Sequence, residues 1–384
     1  MRRGSVRVAL LLTLAGCGGD GLGGDDAAEA EIWSLEVVHQ IGSIEDVDQS
    51  LTRIGTVVIG GSGELFVAQP SDANVRVYEE DASLRSIIGQ RGEGPAEIGG
   101  LSTLGLTDGQ LWILDTRNRK VLRFTPEGEF LRSNGWSPES IRNPPVSLVF
   151  STPWFAHFFA DGRSLVSPSG MLEMRVGEDP PDDLPPTVVM TVDAEGKLGD
   201  TVAVLDQPVR DMPPREWAAA VPSNPLHALD AAGDGVILVE RGSTGNPNPG
   251  TFRVARVDLA GDTVFDRSYS YTPMPTPEGT EARRLERFSE QMQEFYRDTI
   301  FVTENLPPIS DLVVTQDGTI WLAREAEAQD SVAWWALDPD SGDHMGTIHL
   351  PAGHEIVAGQ GDVLVAKRTD EFDVPYLVRY RVVR

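Results

Sequence analysis

Short polar turns alternate with runs of large apolar residues along most of this chain, and one such unit recurs six times. Ser62-Gly63 precedes Glu-Leu-Phe-Val-Ala, Asp108-Gly109 precedes Gln-Leu-Trp-Ile-Leu, and Asp161-Gly162 precedes Arg-Ser-Leu-Val. Asp234-Gly235, Asp317-Gly318 and Gln360-Gly361 do the same before Val-Ile-Leu-Val, Thr-Ile-Trp-Leu-Ala and Asp-Val-Leu-Val-Ala. A tight turn followed by a buried strand, repeated at blade-sized intervals, predicts a radial array of small antiparallel sheets. The inner strand, a, lies before each turn and strand b after it. A second alternating run supplies strand c: Asn74 to Glu79, Lys120 to Thr125, Val188 to Asp193, Phe252 to Asp258, Ala333 to Asp338 and Leu377 to Val382.

Five of these units continue into a strand d, at Ser83 to Gly89, Glu129 to Gly135, Leu198 to Val204, Asp262 to Tyr269 and His344 to Leu350. The sixth has none before Arg384. An open sheet edge invites unwanted pairing, and the apolar segment Ile32 to Ile41 has the content of the missing strand. The pattern therefore predicts an all-β, six-bladed propeller with four antiparallel strands per blade. Its N-terminal strand closes the last blade, and there is one helical insertion. Seven blades or an open sandwich fit the count less well.

The second unit carries a resemblance. Gly89-Gln-Arg-Gly-Glu-Gly-Pro-Ala-Glu-Ile98, Asp115-Thr-Arg-Asn-Arg-Lys-Val-Leu-Arg-Phe124 and Pro126-Glu-Gly128 resemble the NHL repeat of bacterial six-bladed propeller proteins. The match covers residues 84 to 135 and departs from the repeat at Ala96; blades three and four lack the Asn-Arg turn. Fold is what this resemblance implies. Lyases, lactonases and quinone dehydrogenases on related propellers use a metal or cofactor on the axis, and the residues they need cannot be placed here. Asp115 and Asn118 are expected to brace the b-to-c turn through bonds to backbone.

The N-terminus changes where such a propeller would work. Arg2, Arg3 and Arg7 precede an apolar run from Val8 to Leu12 and then Leu14-Ala15-Gly16-Cys17, which reads as a signal peptide with a lipobox. The run is far shorter than the roughly 20 residues of a membrane span. The motif resembles that of bacterial lipoproteins, which implies cleavage before Cys17 and acylation of its thiol; an ordinary signal peptide with a chance cysteine is the alternative. Residues 1–16 are thus the signal, 17–31 an acidic Gly-rich tether, and 32–384 the propeller. Gly18 lacks the aspartate that retains lipoproteins at the inner membrane of enteric bacteria, so the resemblance favours the outer membrane, on its periplasmic or surface side.

Cys17 is the sole cysteine, so its acylation leaves the fold without disulfides or thiolate metal ligands. The formal charge is −27, and three more positive charges leave with the signal. That field disfavours nucleic acid as a partner and helps keep an exported domain soluble.

Strand parity sorts the loops. The a-to-b and c-to-d connections share one face and are short. The b-to-c and d-to-a connections share the other and hold every long segment: Gln90 to Gly100, Trp136 to Pro153, Pro168 to Thr187, Asp206 to Leu226, Gly242 to Gly250 and Thr272 to Pro308. Long loops in compact domains concentrate function. Within Thr276 to Asp298 a Thr cap and Pro277 lead into Leu285, Phe288, Met292 and Phe295, one apolar helical stripe. This lid-like helix equally suits a plug for the channel. Arg215-Glu-Trp217-Ala-Ala-Ala reads as a short helical turn, with Trp217 packing or offering a stacking surface.

Counting back from each turn places His227, Asp311, His354 and Glu355 near the axis on the loop-bearing side, a candidate axial site. Trp154 and Phe155, with Phe158 and Phe159 around His157, suit a sugar or apolar ligand, or simply the core of blade three. A metal needs three or four ligands; only two histidines are offered and no compact calcium loop is present. Neither a nucleophile elbow, a His-Glu-x-x-His nor a phosphate loop occurs. Two readings follow. The first is a membrane-anchored binding or scaffold propeller holding an envelope protein, peptide or glycan, with no cofactor. The second is a hydrolase or lyase using a divalent ion on the axis.

Overall fold

The computed structural model describes residues 31–135, 150–170, 187–205, 218–219, 225–230, 233–241, 250–286, 288–290, 293–294, 297, 300–324 and 330–384. The chain enters as β1 (Ser34–Ile41) and then builds blade one from β2 (Val57–Ile59), β3 (Leu65–Gln69), β4 (Asn74–Tyr78) and β5 (Leu84–Ile88). Blade two is β6 (Leu101–Thr107), β7 (Gln110–Asp115), β8 (Lys120–Phe124) and β9 (Phe130–Gly135). Blade three is β10 (Phe150–Phe158), β11 (Ser164–Gly170), β12 (Thr187–Val192) and β13 (Leu198–Leu205). After a short β14 (Ala218–Ala219) comes blade four, β15 (Leu226–Leu229), β16 (Gly235–Glu240), β17 (Thr251–Asp258) and β18 (Thr263–Ser270). An insertion with α1 (Thr280–Glu286) and β19 (Ile300–Phe301) leads to blade five, β20 (Asp311–Val314), β21 (Ile320–Arg324), β22 (Ser331–Leu337) and β23 (His344–Pro351). Blade six is β24 (Glu355–Gln360), β25 (Val363–Thr369) and β26 (Pro375–Val383), completed by β1.

Each blade is a four-stranded sheet ordered along the chain, and the sixth runs β24-β25-β26-β1. β1 pairs antiparallel with β26 from Ser34 opposite Val383 to Ile41 opposite Leu377. The inner strands β2, β6, β10, β15, β20 and β24 each contact the next, and β24 returns to β2, closing the ring. Both faces of a blade pack against neighbours, which is why β3 is buried along its whole length. Leu65 and Val67 join the seam with blade six, and Phe66 and Ala68 join the seam with blade two. Among the described residues the core accordingly divides into six clusters, one per seam.

The segment before β1 does more than the strand pattern predicts. Trp33 N–H donates to Thr347 O at 2.8 Å, Thr347 N–H donates to Glu31 O at 2.9 Å, and Ile32 bridges Thr347 in parallel. Residues 31–33 thus lie along β23 of blade five before the chain crosses to blade six. Trp33 is buried there, edge-on to Trp321 with ring centroids 6.2 Å apart, and the Arg384 guanidinium covers its ring at 4.7 Å. Gly346 makes the room, since a Cβ at that position would meet the indole at 2.2 Å.

Several boundaries differ from the pattern. Asp108 and Gly109 both take positive φ, forming the two-residue hairpin that Asp-Gly favours. In blade four the left-handed residue is Gly233, not Gly235, because Gly233 N–H donates to Asp230 O while Gly235 already pairs with Asp258 as the first residue of β16. β10 starts at Phe150 and β11 runs to Gly170, so blade three reaches further into its loops than expected.

The insertion helix starts at Thr280, four residues after the expected Thr276 cap. Thr276 spends its N–H on Glu304 O, and Leu306 N–H donates to Met274 O, so a short antiparallel contact staples the base of the insertion instead. None of the α1 residues is buried, whereas Leu285 and Phe288 are half-covered and Arg284 lies over the Phe288 ring at 5.1 Å. Beyond it, Gln293 N–H donates to Ser289 O and Arg297 N–H to Gln293 O. The helical turn expected around Trp217 is replaced at Ala218–Ala219 by a strand, β14, paired parallel with β19. That pairing joins the insertion ahead of blade four to the insertion ahead of blade five.

Candidate functional site

The a-to-b and c-to-d turns form a plain face of tight turns, and the remaining connections form the opposite, loop-rich face. On the plain side the axis is narrow. Gln316, in the blade-five turn, donates its backbone N–H to Gly359 O of blade six at 2.9 Å and its side-chain amide to Ile59 O of blade one. Thr107 donates to Phe158 O at 2.9 Å, and a Cβ on Gly233 would lie 2.9 Å from His157 Nε2. The Gln316 turn thereby ties blades five, six and one together.

At the loop-rich end the inner strands begin. The Thr56 and Thr103 hydroxyls of blades one and two bond at 2.9 Å. His227 lies on β15 opposite Leu238, Asp311 opens β20 opposite Ala323, and Glu355 opens β24 opposite Lys367. Glu355 and Lys367 form an ion pair at 2.7 Å with both groups reaching solvent, so its worth in stability is small. Arg241, just past β16, is buried and donates to Ile309 O at 3.1 Å. Burial pushes its pKa down to about 10, partly offset by the Asp311 carboxylate. Asp311 is held above the usual carboxylate range, chiefly by burial and further by Glu355, while its bond from Leu312 N–H, Lys367 and Arg241 oppose the rise. His354 stands edge-on to Tyr380 at 6.1 Å with Nδ1 buried.

Asp311 and Glu355 share an electrostatic neighbourhood with Arg241 and Lys367 across blades four to six, while His227 stands on the inner strand of blade four and His354 packs against Tyr380. The four expected axial residues do not make a metal centre: among the described residues no group of three His, Cys, Asp or Glu side chains is placed to hold an ion. Two cations that strand counting overlooks, Arg241 and Lys367, belong to the same cluster. Both lie toward the loop-side end of a strand b, Arg241 just past β16 and Lys367 on β25. Cys17 and Trp217 lie outside the described residues. Trp154 and Phe155 pair with Ser167 and Val166 across β10 and β11. Phe158 is core, edge-on to Trp112 at 5.1 Å, and His157 sits between Trp112 and Phe159 near the plain end.

The histidines give the molecule a pH response. His227 is exposed on β15, yet the protein around its ring displaces bulk solvent, and this pushes its pKa below the ordinary value. Burial does the same at His157, aided by Arg123, and at His344, where a bond to Gly346 O opposes it and Arg324 adds to it. A histidine with a depressed folded pKa binds fewer protons when folded, so stability falls as pH drops below the unfolded value of about 6.5. Unfolding free energy measured in urea is expected to be lower at about pH 5.5 than at about pH 7.5. Replacing all three with glutamine should flatten that slope, and an unchanged slope would refute the assignment.

No family model matches the chain, and no curated protein is similar to it in sequence. Solved structures share its architecture. A Bacteroides fragilis protein described as exported is 14% identical over 92% of this chain and 100% of its own, with a TM-score of 0.49. A member of the DUF4221 family from Bacteroides vulgatus is 9% identical over 91% and 98%, with a TM-score of 0.50. A gluconolactonase from Xanthomonas campestris is 11% identical over 86% of each chain, with a TM-score of 0.38. At such identities the likeness is one of fold, and fold does not carry function. The class is thereby defined as a six-bladed β-propeller of four-stranded antiparallel blades, latched by its N-terminal strand.

Proposed function

We propose that this protein is a lipid-anchored binding or scaffold propeller of the bacterial cell envelope, holding a protein, peptide or glycan on its loop-rich face. The observation that carries this reading is the division of the two faces: tight turns and a narrow axis on one, every long connection on the other. The β14–β19 pairing and the Met274–Leu306 staple join two of those connections into one raised feature. The face also offers Phe372, 76% exposed at the tip of the blade-six b-to-c turn between Asp370, Glu371 and Asp373. An apolar anchor ringed by carboxylates suits a partner with an apolar patch and a basic rim. Acylation of Cys17, placement at the outer membrane and descent of blade two from an NHL-type repeat belong to the same reading. No helix among the described residues is long and apolar enough to cross a membrane.

Crosslinking in native envelopes, followed by purification of the tethered protein, tests it. Deletion of residues 276–298 and, separately, Phe372→Ser are expected to remove or strongly weaken one specific crosslinked species while the far-ultraviolet spectrum of the fold persists. Capture that is indifferent to both changes would count against the loop-rich face as the working surface.

A further inference from the structure

We propose that the N-terminal clamp gives the disc a set polarity on its anchor, with the plain face toward the bilayer and the loop-rich face toward the aqueous side where the partner is met. This rests on the reading of Cys17 as lipidated. The course of the chain supplies the direction. Residues 31–33 run parallel to β23, and β1 follows in the same sense. β23 starts at the plain-face turn Asp338–Asp343, and β1 ends near Pro375, beside the loop-rich turn. Glu31, the first described residue, therefore stands at the plain side of the rim. Trp33 holds it there: its neighbours Trp321, Gly346 and Arg384 all stand at the plain-face ends of their strands.

Length makes the direction matter. Fourteen residue steps separate Cys17 from Glu31, and a Gly-rich coil of that length has a root-mean-square reach of about 20 Å. The eight residues of β1 alone rise about 26 Å. For the loop-rich face to meet the membrane, the tether would have to double back along that rise and clear the rim, which needs near-full extension. Charge does not override this. Exposed carboxylates occupy plain-face turns of every blade, such as Asp81, Glu127 and Asp362, and the loop-rich face carries Glu93, Glu281 and Glu371. Both faces are repelled by anionic headgroups, so the point of attachment decides.

The test uses the full-length lipidated protein in phosphatidylethanolamine–phosphatidylglycerol vesicles carrying an energy-transfer acceptor on a minor headgroup. Acylation consumes the single native thiol, so one introduced cysteine takes the donor dye. Glu127→Cys and Asp362→Cys report the plain face, and Arg117→Cys and Phe372→Cys report the loop-rich face. A larger loss of donor fluorescence at the two plain-face positions is expected. Equal or reversed losses overturn the polarity. Protein that fails to float with vesicles, with a Cys17 thiol that titrates freely, overturns the lipidation reading and the polarity with it. Inserting about twenty Gly/Ser residues after Asp26 lengthens the coil reach of the tether by about half, and the difference between faces should shrink. A difference that survives unchanged overturns tether geometry as its cause.

Discussion

Trp33→Ala is expected to lower the unfolding free energy by about 3–5 kcal/mol, the usual range for truncating a large buried aromatic ring. Trp33 is 5% exposed and packs against Trp321, the bare backbone of Gly346 and the Arg384 guanidinium. Its loss leaves a cavity in the seam between blades five and six that β1 and β23 cannot close, because their backbones are fixed by sheet pairing. The indole Nε1 is buried without a hydrogen-bond partner, so some desolvation cost is relieved and the effect belongs nearer the lower end of the range. Urea midpoints with the slope held constant would measure it. Trp33→Phe should recover part of the loss, and a Trp33→Ala midpoint equal to the wild type would show that residues 31–33 are not a clamp.

Asp115→Ala should cost a similar amount, about 3–5 kcal/mol, by a different route. The carboxylate is fully buried and accepts four hydrogen bonds: Gly99 N–H at 2.8 Å, Gly100 N–H at 2.9 Å, Asn118 N–H at 3.0 Å and the Asn118 side-chain amide at 2.8 Å. Alanine would strand all four donors where water enters poorly. The same network holds the connection between blades one and two, since Asn118 donates to Gly92 O at 2.8 Å and Lys120 to Gly94 O at 2.6 Å. Loss of stability should therefore come with faster tryptic cleavage after the exposed Arg91 under native conditions. A destabilised protein whose Arg91 stays protected would separate the brace from the loop.

Asp115 and Asn118 show what is legible in a sequence: short polar residues at a turn make local bonds, and their role follows from spacing. The missing outer strand was legible too, because blade composition is countable and Ile32 to Ile41 had no other place. Partnerships that cross blades were not. Nothing local in Glu31-Ile32-Trp33 says that they lie on β23, and Thr276 reads as a helix cap until Glu304 is seen to take its N–H. Arg241 was hidden for the same reason, since its relation to Ile309 and Asp311 depends on how blade four sits against blade five. Which blades carry His227, Asp311, His354 and Glu355 follows from counting, but the cations beside Asp311 and Glu355 could not be placed that way.

The six separate seam clusters have a consequence for how the molecule comes apart. In a linear stack of repeats the end units fray first, and each can melt while the rest persists. A ring has no end unit. Every blade is held from both sides, and release of β1 from β26 strips blade six of its outer strand and weakens its seam with blade one, while β24 still meets β2. The lifetime of the folded state should then be set by detachment of one strand, and agents that loosen β1 should accelerate the unfolding of blades on the far side of the disc.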